Sequence, residues 1–145
     1  MLEGKYLLFG DSYEDIYKIR KQCNSTSITD VMDCDALHVI VYEDAQPIAC
    51  GRMIIKESKY IFDNIYVVKE KRKNKIGDFT VRLLIEKANL MCAKEIIVCC
   101  EEGNKLFFES LGFQERREPS NLDMSGIIMY LNLINYFNKK KCCES

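Results

Sequence analysis

The sequence predicts a single α/β domain built on a mixed central β-sheet of six to seven strands flanked by helices. Three strand-like segments follow one another between residues 37 and 68, and the short turns between them favour an antiparallel meander. Residues 60–100 then form a strand, a basic loop, a helix and a strand, and a crossover of this kind makes its two strands parallel. The length of 145 residues suits one hydrophobic core, so residues 1–145 are assigned to one domain.

The N-terminal part of the chain predicts a strand, a helix and a loop. Residues 5–9 form the expected first strand. Asp11 or Ser12 can cap the helix that follows, and its apolar and aromatic residues recur every three to four positions as far as Gln22. Residues 23–35 are rich in Ser, Thr, Asn and Asp, which favours a loop with a short helical turn.

The meander is expected to place its strands at residues 37–42, 48–55 and 60–68. Pro47 stands at the start of the second of these strands, where its missing N–H does least harm to the sheet.

The remainder of the chain alternates helices and strands. Apolar residues recur at helical spacing from Gly77 to Met91, and residues 95–100 are almost wholly apolar, as expected for a strand inside a sheet. The other expected elements are a short helix at 103–110, strands at 113–117 and 127–133, and a polar C-terminal tail at 135–145.

The charge balance and the cysteines exclude several classes of protein. Lys and Arg total 21 and Asp and Glu total 22, and a net charge of −1 argues against nucleic acid or a membrane as partner. No segment approaches the roughly 20 apolar residues of a membrane span, and no secretory signal is apparent. The 8 cysteines include no Cys-x-x-Cys, and His38 has no cysteine at zinc-finger spacing. The sequence therefore predicts a cytoplasmic protein with reduced thiols and no metal.

A basic loop leads directly into the long helix. Residues 69–77 contain five basic residues and one acid, and Gly77 permits close approach to the backbone. Unpaired N–H groups and the positive end of the helix dipole favour an anion there, most commonly phosphate. A solvated charged turn explains the same residues equally well, so the loop alone leaves both interpretations open.

Three segments together resemble the GNAT superfamily of acetyl-CoA-dependent N-acetyltransferases. Residues 72–77, Arg-Lys-Asn-Lys-Ile-Gly, are similar to the family's pyrophosphate motif, Arg/Gln-x-x-Gly-x-Gly/Ala. Residues 64–67 look like its central strand, and residues 104–113 look like the end of its second conserved helix. The spacing and the order of elements also match, over roughly residues 5–133.

This resemblance implies a GNAT-like fold in which the central parallel strands, 60–68 and 95–100, splay apart around the pantetheine arm of acetyl-CoA. The backbone of residues 65–67 would pair with the arm, and the N–H groups of residues 73–78 would hold the pyrophosphate. The residues expected to bind this cosubstrate are therefore Ile65, Tyr66, Val67, Arg72, Lys73, Asn74, Lys75, Ile76, Gly77, Asp78 and Phe108.

The sequence departs from the family pattern at three positions. Lys75 replaces the first glycine of the motif, Phe108 replaces a common tyrosine that protonates the leaving thiolate, and Glu101 replaces a frequent asparagine. Asp78 is also unusual so close to a phosphate, and we expect its side chain to point away and cap the helix.

The implied reaction is direct attack of a neutral amine on the thioester, which requires a base or a water chain. Asp63 is the candidate general base, with an exposed strand-edge carboxylate as the alternative. Tyr66 and Tyr130 are the phenols expected near the cleft, where either could replace the missing acid or simply pack.

The predicted function is therefore transfer of an acetyl group from acetyl-CoA to a primary amine. The acceptor, a small molecule or a protein amine, is not identified by the sequence. The alternative is a non-catalytic relative that binds acyl-CoA as a binding or regulatory module. The family often dimerises, so a homodimer is a further expectation.

Overall fold

The computed structural model describes residues 1–8, 10–26, 28–116 and 126–144. Their strands form one seven-stranded mixed sheet in the order β1-β2-β3-β4-β5-β7-β6. The strands are β1 Leu2–Tyr6, β2 Leu37–Glu43, β3 Gln46–Lys56, β4 Lys59–Val67, β5 Glu95–Cys100, β6 Gln114–Glu115 and β7 Ile127–Asn132. The α-helices are α1 Glu14–Gln22, α2 Ile76–Leu90, α3 Lys105–Ser110 and α4 Leu133–Glu144.

Strands β1 to β4 form the predicted antiparallel meander. Two-residue turns join β2 to β3 and β3 to β4, and all four turn residues have positive φ, as the right-handed twist of hairpin strands requires. The first strand was predicted three residues too late. Its pairing runs from Leu2 with Glu43 to Tyr6 with Val39, and Phe9 lies outside the described residues. Cross-strand pairing, which the local pattern does not encode, sets these bounds.

A bulge in β4 produces the predicted splay of the sheet. Asp63 pairs with Arg52 and Tyr66 pairs with Cys50, so two residues of β4 oppose the single Gly51. Asn64, inside the bulge, has φ +47°. On the other side, β4 pairs with β5 in parallel only at residues 60–62, although both strands continue beyond this point. The two strands therefore diverge and leave a V-shaped opening.

The two faces of the sheet carry separate apolar clusters. Helix α2 packs its buried residues, among them Val81, Leu84 and Ile85, against one face. Helix α1 contributes Ile16 and Ile19 to a second cluster on the other face. No helix in the part of the chain that the structure describes is long and apolar enough to span a membrane.

The segment predicted as a polar tail is helical in the structure. The side chain of Asn132 accepts a hydrogen bond from the Asn135 N–H at 3.0 Å, which caps the start of α4. Tyr136 and Phe137 then pack against the apolar cluster to which α2 contributes. The sequence pattern did not reveal this helix, because the residues that make the contact, among them Leu133, Tyr136 and Phe137, are set among polar ones. Strand β6 covers two residues of the predicted 113–117, of which Arg117 lies outside the described residues.

Candidate active site

A cleft of about 950 Å³ opens where β4 leaves β5 and extends to the start of α2. It is bounded by the end of β4, the basic loop, the first turns of α2, and α3. Its lining includes ten of the predicted cofactor residues, namely Ile65, Tyr66, Val67, Arg72, Lys73, Lys75, Ile76, Gly77, Asp78 and Phe108. Asn74, the eleventh, is an exposed turn residue outside this lining.

The basic loop adopts a conformation that leaves the start of α2 open to a ligand. Lys73 and Lys75 have φ +71° and +61°, in the left-handed region. Lys75 is the N-cap residue of α2, and its side chain makes no capping hydrogen bond. The first N–H groups of the helix therefore have no side-chain cap, as an anion site requires. The left-handed backbone also explains why a glycine suits the position that Lys75 occupies.

Gly77 keeps the cleft narrow without closing it. A Cβ atom built on Gly77 would lie 3.4 Å from Phe107 Cζ and 3.7 Å from Val67 Cγ2, which is ordinary contact. Any larger side chain at this position would have to enter the space between β4 and α3.

Asp78 does not cap its helix as expected. Its Oδ2 accepts a hydrogen bond from Arg82 Nε at 2.7 Å, one turn further along α2. This bond is the main cause that raises the pKa of Arg82. The pair cancels most of the repulsion that an isolated Asp78 would impose on a phosphate.

The backbone carbonyl of Val67 is held by two side chains of the cleft. Arg72 Nε donates to it at 2.9 Å, and the thiol of Cys23 donates at 3.5 Å. Burial raises the pKa of this thiol, against the opposing influence of Arg72. The hydroxyls of Tyr66 and Ser25 lie 2.9 Å apart, so the residues after α1 contact the strand that edges the cleft.

Phe108 belongs both to the core and to the cleft wall. It is 7% exposed, and its ring contacts those of Phe107 and Phe113 at centroid distances of 5.1 and 5.5 Å. Tyr130 does not line the cleft but borders a separate cavity, where the guanidinium of Arg116 lies 4.2 Å from its ring centroid.

Asp63 lies outside the cleft lining and is held by Arg52. Its two carboxylate oxygens accept hydrogen bonds from Arg52 Nε and Nη2 at 2.7 and 2.8 Å. Burial lowers the pKa of the Arg52 guanidinium, but Asp63 and the neighbouring acids raise it by more. The pKa of Arg52 therefore lies above its usual value. Both carboxylate oxygens of Asp63 are occupied by Arg52 and the residue does not line the cleft, so the geometry weighs against Asp63 as the general base.

Arg52 belongs to a buried ionic cluster that the sequence analysis did not identify. Arg52 Nη1 donates to Asp33 at 3.1 Å, and Arg20 donates to both oxygens of the same carboxylate at 2.8 and 3.0 Å. His38 lies beside them, with Nε2 2.9 Å from the Asp33 carbonyl oxygen. A charged residue within an apolar strand, as Arg52 is in 48–55, was the available indication.

Five further side chains, which the sequence pattern does not mark, complete the lining of the cleft. They belong to α2, to the end of α1 and to the region of α3, and their positions depend on how those helices pack. They are Cys23, Arg82, Asn104, Phe107 and Ser110. The described residues contain no group of three or more His, Cys, Asp or Glu side chains that could hold a metal ion.

Comparisons with known proteins agree with this architecture. A family model of the acetyltransferase (GNAT) domain matches residues 35–115. An N-acetyltransferase structure from Staphylococcus aureus Mu50 has a TM-score of 0.75 and 20% identity, covering 93% of this chain and 99% of that one. The ribosomal-protein-S18-alanine N-acetyltransferase from Escherichia coli gives 0.72 and 18%, with 92% and 94% covered.

A third structure, a GNAT family acetyltransferase from Elizabethkingia anophelis, was solved with acetyl-CoA bound. Its TM-score is 0.71 at 14% identity, and the match covers 90% of this chain and 97% of that one. No curated protein sequence matches the chain. At these identities the structures share the fold of this chain.

Proposed function

The chain belongs to the GNAT acetyltransferase family, and on that premise we propose that it transfers an acetyl group from acetyl-CoA to a primary amine. The observation that carries the proposal is the cleft itself. It joins the end of β4, which is no longer paired with β5 there, to the uncapped start of α2 in one continuous space. A long, thin ligand with a phosphate group part of the way along it suits such a space.

The residues present fit acetyl-CoA. The first N–H groups of α2, together with Lys73 and Lys75, would hold the pyrophosphate. The edge of β4 that faces away from β3 is unpaired beyond residue 62 on the β5 side, so it can bond an extended amide chain. Acetyl-CoA supplies the activated acyl group when bound.

The chain's own groups would orient the reacting atoms rather than form a covalent intermediate. The Val67 carbonyl must exchange its bonds from Arg72 and Cys23 if it is to accept from a ligand. Tyr66 lines the cleft, and its hydroxyl lies 2.9 Å from that of Ser25, so the two hydroxyls could pass on a proton. We do not assign proton removal to Asp63, because Arg52 occupies both of its oxygens.

A second candidate function is acyl-CoA binding without turnover. Phe108, in the cleft wall, has no hydroxyl with which to protonate a leaving thiolate. A thiolate is a comparatively good leaving group, because its conjugate thiol has a pKa of about 8–9, so the missing acid does not by itself exclude transfer.

Calorimetric titration with acetyl-CoA tests the cofactor site. We expect the wild type to bind and Gly77→Glu to lose more than tenfold in affinity, because the new side chain enters the cleft with a negative charge. Gly77→Ala is the matched control, since its Cβ makes only ordinary contacts, and it should bind nearly as the wild type does. Equal affinities for Glu and Ala variants would place the ligand elsewhere.

A screen of primary amines with detection of released free CoA thiol separates the two candidate functions. Thiol release that depends on an added amine supports the transferase. Binding of acetyl-CoA without release, over small amines, amino acids and peptide N-termini, would favour the non-catalytic alternative.

A further inference from the structure

Arg82 stands between the proposed cofactor cleft and a second cavity. The second cavity measures about 510 Å³ and lies among α2, α3, β7 and α4. Arg82 and Ser110 are the residues that line both spaces. A ligand that follows the cleft beyond the start of α2 therefore meets the guanidinium of Arg82.

The guanidinium is fixed by side chains from two elements. Nε donates to Asp78 at 2.7 Å, and Nη1 donates to the hydroxyl of Tyr136, on α4, at 2.8 Å. Within the described residues, Nη2 donates to no protein group, and the side chain is 42% exposed. The arginine is thus held in place while part of its side chain remains exposed, in the lining that the cleft and the second cavity share.

The position of Arg82 along α2 suits a second phosphate on the same ligand. Arg82 follows Gly77 by five residues, which is a rise of about 7.5 Å along the helix axis. Coenzyme A carries, besides its pyrophosphate, a phosphate on the 3′ oxygen of its ribose. Arginine recognises such a group well, because its donors match two phosphate oxygens at once.

We propose that Arg82 binds the 3′-phosphate of coenzyme A, so that the protein distinguishes coenzyme A from 3′-dephospho-coenzyme A. This inference rests on the proposed function, because it presupposes that the cleft holds the cofactor. The competing cations are Arg72, Lys73 and Lys75, which lie on the loop, at the expected position of the pyrophosphate.

Calorimetric titration of acetyl-CoA and of acetyl-3′-dephospho-CoA, on wild type and Arg82→Gln, tests the proposal. We expect the wild type to prefer acetyl-CoA by at least about tenfold, as a charge-assisted contact implies. Arg82→Gln should reduce this ratio to about one to two, and Arg82→Lys should retain part of it. Loss of the partner of Asp78 weakens both ligands, so the informative quantity is the ratio.

Arg116→Gln is the matched control. Arg116 also lines the second cavity but not the cleft, and it is paired with Glu95. Its variant should keep the wild-type ratio, and melting temperatures should show that both variants remain folded.

The outcomes separate this inference from the proposed function. Binding of neither ligand by the wild type would overturn both. Equal binding of the two ligands would leave the proposed function standing and overturn the role of Arg82. A preference that survives in Arg82→Gln but disappears in Arg72→Gln, Lys73→Gln or Lys75→Gln would overturn it as well, and would assign the 3′-phosphate to the loop.

Discussion

The side chain of Phe108 has to pack in the apolar core and also to form part of the cleft wall. Its ring packs edge-on against Phe107 and Phe113, and it also lines the cleft. The core favours an apolar ring, whereas the family resemblance associates this position with a hydroxyl that faces the cofactor. A tyrosine satisfies both demands only if its hydroxyl reaches the cleft.

We expect Phe108→Tyr to keep the free energy of unfolding within about 1 kcal/mol of wild type and to raise amine-dependent thiol release. A positioned acid is worth roughly 10²–10⁴-fold, so even a poorly aligned hydroxyl should be detectable in turnover. Phe113→Tyr is the control, since Phe113 is 1% exposed and lies outside the cleft lining, and burial of its hydroxyl should cost about 1–3 kcal/mol. The same loss at position 108, with unchanged turnover, would contradict the expectation.

At the scale of a secondary-structure element, the bulge in β4 links three parts of the molecule. Gly51 opposes the bulge, and a Cβ built there would approach Leu84 Cδ1 of α2 to 2.8 Å and Ile65 Cγ1 to 3.5 Å. The bulge, the glycine and the packing of α2 therefore depend on one another. Beyond the bulge, β4 runs along the cleft instead of along β5.

Asn64→Val should destabilise the protein by about 1–2 kcal/mol, because a left-handed backbone is costly for a residue other than Gly or Asn. It should also weaken acetyl-CoA binding, since the altered bulge changes where β4 leaves β5. Asn64→Gly, which tolerates the same φ, should remain close to wild type in both respects. Denaturant unfolding and calorimetry measure the two effects. A Val variant as stable as the Gly variant would show that the bulge does not need this backbone conformation.

At the scale of the whole molecule, the buried ionic cluster ties the segment after α1 to the sheet. Arg20, Asp33 and Arg52 connect α1, the turn at residues 31–35 and β3, and His38 is buried next to them. Burial lowers the pKa of His38, and the two guanidinium groups lower it further, against the opposing influence of Asp33. Protonation of His38 would add a third cation to a cluster that already holds two.

This cluster predicts that stability falls with acidification. The unfolded chain protonates His38 near its ordinary pKa of about 6.5, whereas the folded chain does so only at lower pH. Stability is therefore fully present above about pH 6.5 and declines as the pH falls from there toward the folded-state pKa. Urea unfolding between pH 5 and 8 should show this decline in wild type and a flatter profile in His38→Gln. An equal decline in both proteins would assign the effect to other groups.

The sequence predicted those features that follow from local periodicity and from motif spacing. The meander, α2 and β5 appear near their expected positions, and residues 72–77, predicted to bind pyrophosphate, lie where α2 begins. The sequence did not predict the start of β1, the helix α4, or the ionic cluster around Asp33. These depend on contacts between residues far apart in the chain. Arg82 was missed for the same reason, since its contact with Tyr136 on α4 joins residues far apart in the chain.

The parallel pairing between β4 and β5 covers three residue pairs, and this short seam divides the sheet into two parts. Four strands lie on one side of the seam and three on the other, and α2 crosses from one to the other. The hydrogen-bond ladder is thus incomplete in the middle of the sheet, between β4 and β5. The amides of β4 that face β5 beyond residue 62 have no partner on that strand, so they should exchange with deuterium sooner than the amides of the paired ladders on either side.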